Sequence, residues 1–522
     1  MAKLGTEDRD TPLLGSRPFP YGVVFAVAFA IVLVPFFLCS PLPLSDYPNH
    51  MARMYILAKL DHSSILPQYY AADWHLIPNL AMDILLPPLI SFMSAEQATL
   101  LFTAAGLFLI ASGTIFLHRE LHGRWSLLPF AVFLVLYNRH FLWGFLNYLF
   151  SVGLELWFFV IYLRLRLWHT VPRLAVLSIL STILLVSHLH AFASYGIIAV
   201  GYELSVAWRM RRQGQTISWR RFVAPLGQFV VPVLLFLLFS TTRGSAGQMA
   251  FGDLLNKPTG LLDIFNNYIL SLDIFTFLVL SALIAFGVVR SKMRFHRYLA
   301  IPLVCLSILY LLLPQKVFGS MGADRRLLVV VVSLGIAALD GFVASRRTRW
   351  ILACSLTALF LARMMVIGDN WLRTDRVYAD IAAAIDLIRP GSRLAVAVGG
   401  ENFPFLQNPP LDHVPNIAVI RKDAFVNTLF ADPTQTVLRV VYAADTHFYR
   451  VSSQTYRKGS EREQSADGLM NPLKDVPLDR FDYLLYVNPQ YFKEVHTAQL
   501  KPLFERKQVV LFAIDQSIIG RR

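Results

Sequence analysis

Residues 98–117 read ATLLFTAAGLFLIASGTIFL, twenty positions without a charged side chain. A helix of that length, at 1.5 Å per residue, reaches about 30 Å, the thickness of a bilayer's hydrocarbon core. Comparable apolar blocks lie on both sides of it: Tyr21 to Cys39, Ser126 to Tyr137, Leu146 to Leu163, Leu174 to Ser187, Ala191 to Trp208, Phe222 to Phe239, Asp273 to Val289, Tyr298 to Leu313, Leu327 to Val343 and Trp350 to Ile367. Together they predict eleven crossings and a polytopic α-helical membrane protein. Of the 522 residues, 55% are hydrophobic and 16% charged, which excludes a soluble protein of this size.

Charge orients the spans. The chain carries 48 Lys and Arg against 34 Asp and Glu, and nearly all of the excess lies before Gly368. With residues 1–20 as a cytoplasmic tail, the connections placed inside hold Arg119 and Arg124; Arg164, Arg166 and Arg173; Arg209, Arg211, Arg212, Arg220 and Arg221; Arg290, Lys292, Arg294 and Arg297; and Arg346, Arg347 and Arg349. Every one is basic, as cytoplasmic loops are, so the excess needs no nucleic-acid partner. A twelfth crossing at Leu80 to Met93 would invert all later loops. That segment contains Asp83 and Pro87-Pro88, so it reads as a juxtamembrane or re-entrant helix. Cys39, Cys305 and Cys354 all fall in apolar spans and show no disulfide or zinc spacing.

After Ile367 the composition becomes that of a globular domain. A helical stretch at Arg376 to Ile388, a Pro390-Gly391 stop, apolar runs at Leu394 to Val398, Tyr483 to Val487 and Val509 to Ile514, and a helix-like Leu500 to Arg506 predict a C-terminal α/β domain over residues 368–522. Parity puts it outside, in the periplasm. The chain has no Asn-X-Ser/Thr sequon, which fits a bacterial inner membrane and cell envelope.

The candidate chemistry lies in the external loop of residues 40–97. It opens with Leu44-Ser45-Asp46-Tyr47-Pro48-Asn49-His50. Pro48 suits a first helical turn, and Met51, Met54, Tyr55 and Ala58 form one apolar stripe, predicting a helix along the membrane surface with Arg53 and Lys59 toward water or headgroups. Asp46 is placed to be its N-cap. Further on come Asp73, Ile77-Pro78-Asn79-Leu80 and Asp83. Lys316, Arg325 and Arg326 form a basic cluster on the outer side, against the charge rule.

A first span followed by a long external loop with an early Asp, surface helices and an external α/β domain resembles the GT-C superfamily of membrane glycosyltransferases. The Asp46-to-His50 and Ile77-to-Leu80 stretches carry the local likeness. The resemblance implies a polyprenyl-phosphate-linked sugar as donor, a lipid, glycan or protein as acceptor, and transfer on the outer face with inversion. It implies Asp46 as general base. A hydroxyl is a poor nucleophile at neutral pH, so a carboxylate must take its proton, and fixed cations must meet the departing lipid phosphate. Lys316, Arg325 and Arg326 suit the phosphate, with His50, Asp73 and Asp83 as further substrate contacts. Many members carry an acidic pair in the next external loop, often for a divalent metal such as Mg or Mn. Here Asn138 to Phe145 holds Arg139 and His140 instead, so a replacement site would draw on Asp73, Asp83, His50 or the His188-Leu189-His190 turn, with His188 and His190 as candidate ligands.

Two other readings stay open. Glu155 and Glu203, inside spans, suit a transporter or flippase of a lipid-linked sugar. A non-catalytic membrane subunit, surrounded by membrane lipids and binding a partner through its external domain, would use the Asp46 loop only as structure.

Overall fold

The computed structural model describes residues 20–241, 249–252, 256–317, 320–341, 346–401, 411–432, 435–442, 455–458, 469, 471–474, 476–493 and 498–519. The expected tail of residues 1–20 lies outside these except for Pro20. Among the described residues six helices are long and apolar enough to cross a membrane: Ala95–His122, Leu146–Leu167, Thr170–Ser187, Leu189–Arg212, Leu270–Val289 and Trp350–Asp386. Shorter apolar segments, Tyr21–Phe37, Leu128–Leu142, Val223–Phe239 and Ala300–Leu312, together with the Ala323–Ala338 helix, stand at the other expected crossings. The protein is a multi-pass, mostly helical membrane protein with a C-terminal sheet domain.

Local chemistry explains where these helices begin and end. Ser94 caps the first long one, its hydroxyl accepting from Gln97 N while Gln97 answers the Ser94 amide, and Gly123 closes it with φ 67°. The Ser126-to-Tyr137 crossing is not a continuous α-helix. It is a 3-10 stretch, Leu128–Leu134, followed by a short helix, Arg139–Leu142, that Asn138 caps through Phe141 N. The Phe222-to-Phe239 crossing breaks at buried Gln228, whose side-chain oxygen accepts from Ser181 and Tyr195. Between the first two spans, the Leu80-to-Met93 segment forms only the ten-residue helix Ala81–Ile90, about 15 Å long and too short to cross.

The last span does not end at Ile367. One helix of 41 residues, Arg346–Asp386, runs from the bundle into the C-terminal domain. There a mixed sheet takes the order Leu500–Arg506, Val509–Ile514, Tyr483–Val487, Arg393–Glu401, Phe425–Val426, with Thr455–Lys458 also on Arg393–Glu401. Tyr483–Val487 runs parallel to Arg393–Glu401, and Val509–Ile514 antiparallel to both of its neighbours. Leu500 to Arg506, expected to be helical, is a strand: two residues join it to Val509–Ile514 in a hairpin, and pairing along the ladder overrides its local propensity.

The external loop and this domain are interlocked. Tyr70–Ala72 pairs antiparallel with Leu438–Val440, and Asp73 N bonds Val437 O at 2.8 Å. Tyr55 Oη donates to Asp423 at 2.8 Å and Tyr69 Oη to the Gly391 carbonyl at 2.5 Å. Asn49 Oδ1 accepts from Phe430 N at 2.7 Å. The helix expected to lie on the membrane surface, Tyr47–Lys59, is therefore covered on most of its circumference, with Met51, Ala52, Arg53, Met54 and Ile56 buried.

Candidate active site

Asp46 sits immediately before that helix, at the N-cap position, but its side chain makes no capping hydrogen bond. Its placement comes from the backbone. Ser45 N donates to Leu142 O at 2.9 Å and Asp46 N to Trp143 O at 3.0 Å, so the turn between two crossings holds the loop. Gly144 completes that turn with φ 82°, and a Cβ there would stand 3.0 Å from Asp46 N and 3.1 Å from Tyr47 N. Only glycine fits both the dihedral and the space.

The freed carboxylate faces the C-terminal domain. His413 Nε2 lies 3.5 Å from Asp46 Oδ1. The Asp46 side chain is recessed among protein atoms yet 36% of it remains open to water. Burial raises its pKa above the usual carboxylate range; His413, Arg326 and Arg53 pull it down, and Asp412 pushes it further up. His50, one turn along the helix, is held neutral, its pKa well below the ordinary value through burial and the charges of Arg53 and His413. A carboxylate of raised basicity, reachable by solvent and without a capping hydrogen bond among the described residues, is equipped to accept a proton.

The structure separates the three outer cations. Arg326 lies in the first turn of Ala323–Ala338, within electrostatic reach of Asp46, its guanidinium 4.4 Å over the Phe145 ring while Tyr148 Oη donates to its carbonyl. Arg325 is committed elsewhere. Its Nη1 contacts Asp263 at 2.7 Å, and Arg139 holds the other oxygen of the same carboxylate at 3.2 Å. Lys316 belongs to a two-stranded turn, Lys316–Val317 with Ser320–Met321. Asp83 is buried and paired with Arg53 at 3.1 Å, both side chains 1% exposed. Arg53, expected to face water or headgroups, is thus an interior cation, because the C-terminal domain covers its helix. Asp73 is engaged on the surface with Arg439 at 3.1 Å.

His188 is the N-cap of the Leu189–Arg212 helix, its Nδ1 accepting from His190 N at 3.1 Å. Both rings pack on Tyr148 and lie within electrostatic reach of Arg326. With one ring nitrogen of His188 already used and a fixed cation beside the pair, these residues do not fit a metal. Among the described residues no three His, Cys, Asp or Glu side chains come together as a ligand set. What the neighbourhood does contain is unmet polar capacity. Ser45 Oγ, His50 Nδ1, His140 Nδ1, Trp143 Nε1, His190 Nε2, Arg326 Nε and His413 Nδ1 are buried without a hydrogen-bond partner among the described residues. Such a concentration marks a place that water or a ligand completes.

Glu203, which suited a transport path, is clamped by Arg221 at 2.8 Å, Tyr162 at 2.8 Å and Arg166 at 3.5 Å. Glu155 is wholly buried in its helix. Sequence reasoning missed His413, which no motif marks, and Gly144, whose need is visible only when Asp46 lies against it.

The fold, a helical bundle whose C-terminal domain packs against the loop of residues 40–97, is similar to that of a solved membrane protein. The crystal structure of ArnT from Cupriavidus metallidurans bound to undecaprenyl phosphate superposes with a TM-score of 0.51, covering 94% of this chain and 98% of that one at 12% identity. Its apo state gives 0.48, 95%, 99% and 11%. No protein-family model and no curated protein matches the chain.

Proposed function

We propose that the protein is an integral membrane glycosyltransferase that moves a sugar from a polyprenyl-phosphate donor to an acceptor hydroxyl at the outer face, inverting the anomeric centre. The observation that carries this reading is Asp46: at a helix start, without a capping bond, its carboxylate is recessed, basic and solvent-reachable, with Arg326 in electrostatic reach. Asp46 takes the acceptor's proton as its oxygen attacks the anomeric carbon. The bond to the lipid phosphate breaks on the opposite side, and Arg326 meets the charge left on the phosphate. His413 and Arg53 keep the carboxylate's pKa from rising further. Undecaprenyl phosphate in the ArnT crystal structure supports a polyprenyl-phosphate donor for this fold-mate. The acceptor, whether lipid, glycan or protein, approaches from the C-terminal domain, which supplies His413.

The test is release of undecaprenyl phosphate from a panel of undecaprenyl-phosphate hexoses and pentoses, with purified protein in membranes of its host. Asp46→Asn keeps the side chain's size and removes the base. The expected result is a loss of about 10²- to 10⁴-fold, the range of general-base catalysis, with the folded yield unchanged. Release at the wild-type rate would reject Asp46 as the base.

A further inference from the structure

A second site lies at the end of the bundle away from Asp46. The Tyr21–Phe37 segment leads toward Asp46 at its far end, and its first residues instead line an apolar groove of about 1130 Å³. Phe25, Phe108, Ile115, Trp125 and Trp157 form its walls. The polar groups inside are already used: Trp157 Nε1 donates to Ser112 Oγ at 3.0 Å, so the interior offers hydrocarbon contact and no open hydrogen-bonding group at that point. At the mouth, Tyr21 stacks on Trp125 with ring centroids 5.9 Å apart, the amphipathic pairing that marks a membrane–water boundary.

Charge at this mouth points to the occupant. Arg124 is paired with Asp340 at 2.7 Å and Arg164 with Glu120 at 2.9 Å. Arg119 is different. It is exposed, lies 4.6 Å over the Trp125 ring that walls the groove, and has no carboxylate partner among the described residues. A hydrocarbon slot roofed by an interfacial tryptophan under a guanidinium that meets no carboxylate among the described residues matches a lipid with acyl chains and an anionic headgroup.

We propose that this groove binds one anionic diacyl phospholipid of the leaflet opposite the Asp46 site, acyl chains against Phe108 and Trp157 and phosphate at Arg119. The site is independent of the glycosyltransferase reading.

Gly22 provides a clean test, because it lines the groove and a Cβ added to it meets nothing within 4 Å. Gly22→Phe therefore sends a ring into the slot from a Cβ that is clear of every described neighbour. The full chain in detergent is titrated with dioleoyl phosphatidylglycerol or dioleoyl phosphatidylcholine and read by native mass spectrometry. Retention of phosphatidylglycerol over phosphatidylcholine is expected, abolished by Gly22→Phe and reduced about fivefold by Arg119→Gln, the effect of one basic residue on an anionic lipid. Equal retention of the two lipids, or retention unchanged in both variants, overturns the proposal. So does displacement of phosphatidylglycerol by equimolar undecaprenyl phosphate, which assigns the groove to the donor lipid. Binding that emerges only after residues 2–19 are deleted also overturns it, assigning the groove to that segment.

Discussion

Arg325 and Arg326 are adjacent in sequence and opposite in circumstance. About 100° of helical rotation separates them. Arg325 turns inward to a carboxylate shared with Arg139, an arrangement in which two guanidiniums are held by the two oxygens of one Asp263. Arg326 turns toward Asp46, with its charge over Phe145 and its Nε buried without a partner among the described residues. The first arrangement is closed and holds three elements of the bundle together; the second is open and has capacity left for a ligand. Two neighbouring arginines are therefore in different states, and Arg326 is the one that keeps unmet hydrogen-bonding capacity among the described residues.

Substitutions break this comparison in a definite order. Arg325→Ala leaves Asp263 compensated by Arg139 alone, so the loss is one buried charge-assisted hydrogen bond, about 1.5–3 kcal/mol. Thermal unfolding of the detergent-solubilised protein should begin well below wild type, and a wild-type melting curve would show that the triad is dispensable. Arg326→Gln should leave melting alone and lower donor cleavage about 10²-fold, as loss of one charge-stabilising donor does. If it melts early and cleaves normally, the assignments of the two arginines are exchanged.

Gly144→Ala tests the support rather than the charge. It forces a Cβ into a left-handed backbone position against the Asp46 and Tyr47 amides, a strain of about 1–3 kcal/mol. Cleavage should fall more than melting temperature does, since the strain is delivered at Asp46. The pH profile gives a smaller effect. On the proposed mechanism activity requires ionised Asp46, so it should be lost as pH falls through a pKa that burial raises, with the acid limb above the ordinary carboxylate range. His413→Gln removes a charge that lowers this pKa, so the limb should move to higher pH; movement to lower pH would sink the assigned coupling. Asp73→Asn, which breaks an exposed pair with Arg439, should change stability by less than about 1 kcal/mol and leave cleavage unaltered.

Much of the bundle was legible because hydrocarbon thickness imposes a length on apolar runs, and because Leu80 to Met93 carries its own disqualification in Asp83 and two prolines. The position of Asp46 directly before a proline-started helix was legible too; its role as base is a proposal. Arg53 was misread. Its apolar stripe described the helix correctly, but no stripe says that a second domain covers the opposite face. The strand at Leu500 to Arg506 was misread for a related reason: a hairpin partner outweighs local propensity.

The sequence by itself determined a multi-pass helical membrane protein with a sheet domain at its C-terminus, because burial of apolar surface in lipid and alternation in a sheet are properties of short stretches. Tertiary structure decided which arginine meets Asp263 and which faces Asp46, that the Asp46 side chain makes no capping bond among the described residues, and that His413 from some 370 residues away stands 3.5 Å from it. These are questions of which charges meet in three dimensions, and electrostatic pairing depends on distance in space, which the order of residues does not encode.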